Sequence, residues 1–257
     1  MPTRGMSDLE SGGPSCPTIE FFGPPGAGKS TVYEGLVHDP RFFDGRYESF
    51  GRMFSSRSPM PVAMIYRWLP TALRRSFDTL VLKHRYRQQA LASFVCENPR
   101  CIEAIASAIE SMSWGQAKFA RMALIRAASQ RLSTMTVHRE EFACVDEGFV
   151  QLVASMAWRL SDHGDHPDTV FRACPPVDYV VYLDTCVETC LDRQRRRGNV
   201  VDDAQPQRSD PMETQRTWHR LCRTIVEDIP SGTEVIHVRN EGDPTEALAT
   251  IKRSILN

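Results

Sequence analysis

The stretch "IEFFGPPGAGKSTVYEGL", residues 19–36, decides the fold. Thr18 to Phe22 is a short apolar run that stops at Gly-Pro-Pro, the length and composition of a buried strand. Gly23-Pro24-Pro25-Gly26-Ala27-Gly28-Lys29-Ser30 then matches G-x-x-x-x-G-K-[ST], with Thr31 following. Glycines let such a loop curl until successive N–H groups face one centre, which suits phosphate oxygens. A helix predicted from about Lys29 to Val37, before Pro40, adds the positive end of its dipole. Lys29 would neutralise charge on the outer phosphates and Ser30 would offer its hydroxyl to Mg2+. A chance glycine-rich turn is the competing reading, and the position between strand and helix argues against it. The expected triphosphate-binding set is Gly23, Gly26, Ala27, Gly28, Lys29, Ser30 and Thr31.

The rest of the chain must say where the terminal phosphate goes. It has 257 residues, 41% hydrophobic and 25% charged, ordinary for a soluble chain with a real core. The net charge of -1 gives no global field toward nucleic acid or membrane. Residues 1–17 lack an apolar signal region and read as a flexible tail. The most apolar run, "MPVAMIYRWLPTAL", is interrupted by Arg67 and Pro70 and is too short to span a bilayer. Eight cysteines occur without a C-x-x-C pair, so reduced, mostly buried thiols and a cytoplasmic location are expected.

Apolar runs alternate with helical patterns along the chain. Strands are expected at 18–22, within "GRYESFGR" (45–52), at 142–146, at 178–184 and at 234–238. Helices are expected after each, the last starting with Asp243 as N-cap and Pro244 in its first turn. Continuous apolar strands between helices predict a parallel sheet covered on both faces. The expectation is one α/β domain over 18–257, a three-layer α/β/α fold with a five-stranded parallel sheet. A long helical insertion, about 55–140, separates strands two and three.

A phosphate loop needs a carboxylate near its metal, usually from the end of a neighbouring apolar strand. Asp146, after "FACV", fits as metal ligand, and Glu147 beside it can serve as base or ligand. Against this stands the reading of Asp146 as a cap for the next helix. Gly148 allows either close approach of a ligand or a tight turn. Farther on, "LDRQRRRGN" places Arg193, Arg195, Arg196 and Arg197 at a helix end before a loop with Gly198, Pro206 and Pro211. Cations there complement the helix dipole. Arg193 and Arg197 are also one turn apart on one face, and guanidinium suits a phosphoryl group in transfer. The segment 193–211 is expected to act as a lid.

Strand, GPPGAGKST, helix, then "VDEG", then "VVYLDTCVETCLDRQRRRG" and a long helix together resemble the nucleoside and nucleotide kinases among P-loop proteins. Thymidylate kinase and the deoxynucleoside kinases are similar in pattern, over about two thirds of the chain. The resemblance implies that the loop binds the phosphates of ATP and that Arg193 and Arg197 stabilise the phosphoryl group in transfer. It also implies a Glu at the end of strand two, so Glu48 becomes a candidate base for an acceptor hydroxyl. Two departures stand out, a long helical segment between strands two and three and the loss of an arginine expected in the acceptor site. The Asp-Arg pair of thymidylate kinase reads Asp146-Glu147 here, and the Glu-Arg-Ser of the deoxynucleoside kinases is absent.

The insertion carries a basic stretch, Arg67 to Arg87, read as a solvated face, an anionic-acceptor site or a nucleic-acid contact. No nucleic-acid-binding motif accompanies it, so nucleic acid is not the expected partner. Trp68, Trp114 and Trp158 are read as core or as stacking surfaces for a planar substrate. "DHGDHPD", with His163 and His166, reads as a solvated loop rather than a metal site. The expected activity is transfer of the γ-phosphoryl group of ATP, with Mg2+, to a small-molecule hydroxyl or phosphate, a nucleoside or nucleotide first. The alternative is a nucleotide-dependent ATPase or switch whose basic insertion binds a macromolecule. No N-K-x-D guanine motif supports the switch. A homodimer is left open.

Overall fold

The structure is a computed structural model that describes residues 16–44, much of 92–127, 141–160 apart from Glu147, 172–198 apart from Cys174, and 210–256 apart from Pro230. β1 (Thr18–Phe22) is buried along its whole length. Successive side chains of a strand point to opposite faces, so Ile19 and Phe21 enter one apolar cluster and Phe22 the other. After the phosphate loop come α1 (Lys29–Val37) and β2 (Phe42–Asp44). The remaining described elements are α2 (Pro99–Glu110), β3 (Phe142–Val145), α3 (Phe149–Leu160), β4 (Tyr179–Asp184) and α4 (Val187–Arg196). The chain closes with α5 (Pro211–Glu227), β5 (Glu234–Arg239) and α6 (Pro244–Leu256).

All five strands join one parallel sheet in the order β2-β3-β1-β4-β5. One face packs α1 and α6, through Val32, Leu36, Ala247 and Ile251, onto Ile19, Phe21, Val181 and Leu183. The other face packs α2, α3 and α5, through Ile105, Val153, Met156 and Cys222, onto Phe22, Val180 and Tyr182. The expected three-layer α/β/α arrangement is therefore present. β1 is central, with β3 on one side and β4 on the other. The winding reverses at this point, which opens a crevice at the carboxyl ends of β1, β3 and β4.

One expected strand moves. The second strand is Phe42–Asp44, not part of 45–52, and 45–52 lies outside the described residues. The apolar doublet after Pro40 decides this: Phe42 and Phe43 are buried, and Phe42 stacks on Phe142 of β3 with ring centroids 5.3 Å apart. Polar and aromatic residues at 45–52 offered a longer pattern but no such doublet. Between β2 and β3 the described residues are largely helical, as expected of the insertion. In that stretch α2 turns Cys101 and Ile105 inward.

Trp158 of α3 stacks on Trp218 of α5 with ring centroids 4.5 Å apart and both rings are buried, which makes Trp158 a core residue. Trp114 is 77% exposed, and Trp68 lies outside the described residues, as do His163 and His166. The described cysteines are free, and five of the seven are buried. Burial pushes the thiols of Cys190 and Cys222 up to about 12. Among the described residues no helix is long and apolar enough to cross a membrane.

Candidate active site

The phosphate loop leaves the carboxyl end of β1 and runs into α1. Gly26 and Gly28 adopt φ of 84° and 90°, and Gly28 is the left-handed residue from which α1 begins. A residue with a Cβ is strained there. At Gly28 that Cβ would also lie 2.6 Å from Nδ2 of Asn240. No side chain caps α1, and its first turn holds no acid. Its positive end is thus left for an anion. Lys29 Nζ donates to the carbonyls of Gly23 (2.6 Å) and Pro24 (3.1 Å), so the ammonium lies on the loop itself. Ser30 and Thr31 are exposed at the start of α1.

The loop is fastened from behind by residues distant in sequence. The Ala27 carbonyl accepts from Asn240 Nδ2 (2.7 Å), Thr185 Oγ1 (3.2 Å) and Arg193 Nη1 (3.2 Å). The Pro25 carbonyl accepts from the side-chain amides of Gln194 and Gln215, each at 2.9 Å. Asn240, at the end of β5, and Thr185, at the end of β4, are both buried. Of these partners only Arg193 was expected from the sequence. Asn240 and Gln215 lie outside the stretches that carry the resemblance, and all five reach the loop because β4, β5 and their helices pack beside β1.

The arginine cluster divides. Arg193 points its guanidinium at the loop, whereas Arg195 and Arg196 are exposed and Arg196 pairs with Asp192 at 2.8 Å. For those two the solvated reading holds. Arg197 is the exposed C-cap of α4, one turn beyond Arg193. The segment from 199 to 209, most of the expected lid, lies outside the described residues.

Asp146 follows β3 and is buried. Val145 pairs with Glu20 of β1, so Asp146 lies beside the end of β1, where the loop starts. The competing role for Asp146, capping α3, is held by another residue. Glu20 is buried in β1, and its two oxygens accept the N–H groups of Phe149 and Val150 at 3.0 Å each. A carboxylate on these first amides satisfies orphan donors and complements the dipole. Gly148 is explained by the same contact, since a Cβ there would fall 2.0 Å from the Glu20 carboxyl carbon. The close approach expected at Gly148 is that of Glu20, not of a ligand. Glu20 was missed in the sequence, although a lone acid in the apolar run "TIEFF" is the signal that marks it. Glu147 and Glu48 lie outside the described residues.

Gly28, Lys29, Ser30 and Asp146 fit a nucleotide triphosphate with Mg2+ by the chemistry of their donors. The backbone curls at two positive-φ glycines, a lysine sits on the loop, and one hydroxyl and one strand-end carboxylate flank it. Mg2+ takes one or two protein oxygens and draws the rest from phosphates and water, so this set suffices. A cavity of about 800 Å3 lies elsewhere. It is lined from β4, β5, α4 and α5, among others by Asp184, Arg223, His237 and Arg239, and by no residue of the loop.

No known family profile matches the sequence, and no curated relative does. Solved structures of a deoxyadenosine kinase from M. mycoides do match. The form with bound dATP has a TM-score of 0.52 at 13% identity, over 93% of this chain and 100% of that one. The form with bound dCTP has a TM-score of 0.47 at 14% identity, over 93% and 98%. The likeness to the dATP form, at that identity, is one of fold. This chain has the fold of a P-loop deoxynucleoside kinase: five parallel strands with the phosphate loop at the end of the central one.

Proposed function

We propose that this chain is an ATP- and Mg2+-dependent kinase. It transfers the γ-phosphoryl group to a hydroxyl or phosphate of a small acceptor, with a nucleoside or nucleotide as first candidate. The observation that carries this reading is Arg193, whose Nη1 donates to the Ala27 carbonyl of the phosphate loop. The helix that leads into the expected lid brings this guanidinium to the loop, from where its remaining N–H groups would reach charge in transfer. The likeness of fold to the M. mycoides deoxyadenosine kinase with bound dATP supports a nucleoside acceptor.

Each residue has a separable task in this reading. N–H groups of Gly26 and of Gly28 to Ser30 cradle the phosphates, the Ala27 N–H being bonded to the Pro24 carbonyl at 3.1 Å. Lys29 offsets charge on the outer ones, and Ser30 and Asp146 hold Mg2+. When bound, that ion would neutralise charge on the β- and γ-oxygens. Arg193 and Arg197 would meet the three equatorial oxygens as the phosphoryl group passes. The base that takes the acceptor's proton is one of Glu48, Asp146 and Glu147. The missing arginine of the Asp-Arg and Glu-Arg-Ser motifs shifts acceptor binding to the insertion, where the basic stretch 67–87 supplies candidates.

The test is an ADP-release screen with ATP and Mg2+ against nucleosides, nucleotides, sugars and amino-alcohols. The expected result is slow turnover with ATP alone, a strong rise with one acceptor class, and no turnover for Lys29→Ala. Turnover stimulated by protein or nucleic acid, and by no small molecule, would overturn it in favour of an ATPase or switch.

A further inference from the structure

Trans peptide geometry links the outside of the loop to its inside. In a planar trans peptide the C=O of one residue and the N–H of the next point in opposite directions. No cis bond occurs among the described residues. A donor that holds the Pro25 carbonyl outward therefore aims the Gly26 N–H inward. Donors on the Ala27 carbonyl do the same for the Gly28 N–H. Pro24 and Pro25 have no N–H, so the Gly26 amide is the first donor after the two prolines.

We propose that Gln194 and Gln215 are positioning residues of the donor-phosphate site, whose side-chain amides hold the Pro25 carbonyl outward and thereby aim the Gly26 N–H at the phosphates. This rests on the kinase reading given above and goes beyond it in assigning two residues to which that reading gives no role. Gln194 comes from α4 and Gln215 from α5, the helices on either side of the expected lid. Both are buried, at 5% and 1% exposure. A buried amide is costly unless bonded, and aliphatic side chains would fill the same volume more cheaply. The amides are bonded as one unit: each Nε2 donates to Pro25 O at 2.9 Å, and Gln194 Nε2 also donates to Gln215 Oε1 at 3.0 Å. One loop carbonyl thus ties both helices to the phosphate site, and Gln194 follows Arg193 on α4. The pair fixes the orientation of a phosphate donor and the approach of that arginine together.

The experiment uses the full chain with Gln194→Met, Gln215→Met and the double variant. Dissociation constants are measured for Mg2+-ATP and for tripolyphosphate, which engages the loop without a base, and urea midpoints are measured without ligand. Both dissociation constants are expected to rise at least about fivefold in each single variant and by the same factor for the two probes. The double variant is expected to rise by less than the product, because the two side chains share one acceptor. A merely structural role would lower the urea midpoint and leave both constants, measured well below it, within about twofold of the unaltered chain. That result, with binding lost in Lys29→Ala, overturns the proposal alone. Lys29→Ala binding both probes normally would overturn the phosphate-loop reading and the proposal with it. Where a methionine variant does not fold, Gln215→Glu keeps the shape, removes the donor and is read the same way.

Discussion

Two buried carboxylates on paired strands, Glu20 and Asp146, separate structure from chemistry at the scale of single residues. Glu20 holds the start of α3 with both oxygens, so Asp146 is not needed as that cap. Asp146→Asn is expected to lower turnover at least about a hundredfold if Asp146 holds Mg2+ as proposed, since it removes charge there, while the melting temperature stays near that of the unaltered chain. An inactive but equally destabilised variant would return Asp146 to a structural role. Gly148→Ala is expected to do the opposite. Its new methyl collides with the Glu20 carboxylate, so stability should fall by about 2–3 kcal/mol in a urea titration. Glu20 was hidden in the sequence because a buried acid in a strand is interpretable only once its partner amides are known. These amides lie 129 and 130 residues away.

The same division runs along α4. Its arginines form one cluster in the sequence, but the helix gives them different surroundings by its 3.6-residue period. Arg196 pairs with Asp192 in solvent, so Arg196→Ala should change neither stability by more than about 0.5 kcal/mol nor turnover. Arg197→Ala should reduce kcat at least about a hundredfold with little change in ATP affinity, because its proposed contact would matter most in transfer. Steady-state kinetics with the acceptor found by screening separates the two variants. The amino end of α4 is held by Glu241, which accepts the Cys186 N–H at 2.9 Å and the Thr189 hydroxyl at 3.3 Å. Cys186 and Thr189 keep the Glu241 carboxyl below its ordinary value. α6 was placed correctly from the sequence because its cap is local: Asp243 accepts the N–H of Thr245, two residues on.

At the scale of the whole molecule, the elements near the β2 edge are tied by Asp39. Its carboxylate takes a bidentate pair with Arg41 and an ion pair with Lys252 of α6 at 2.9 Å. The Arg41 guanidinium, then Lys252, holds the Asp39 carboxyl well below the usual carboxylate range. A carboxylate depressed in the folded state adds stability above its unfolded value near 3.8, and that stability is lost as pH falls below it. Asp39→Asn should therefore cost about 1 kcal/mol at pH 7, and the difference should shrink as unfolding is measured at pH 4, 3 and 2. A difference constant over that range would show that the carboxylate charge is not responsible. Much of the architecture was readable before any coordinates. Continuous apolar runs, the G-x-x-x-x-G-K-[ST] loop and local caps determine parallel strands, a phosphate site and helix starts, because each depends on neighbours within a few residues. What surrounds the loop was decided only by tertiary structure. Asn240 reaches Ala27 across 213 residues, Gln215 reaches Pro25 across 190, and Glu20 caps α3 from another strand. These contacts follow from the strand order β2-β3-β1-β4-β5, and strand order is set by which apolar faces pack together, a global balance that no local spacing records.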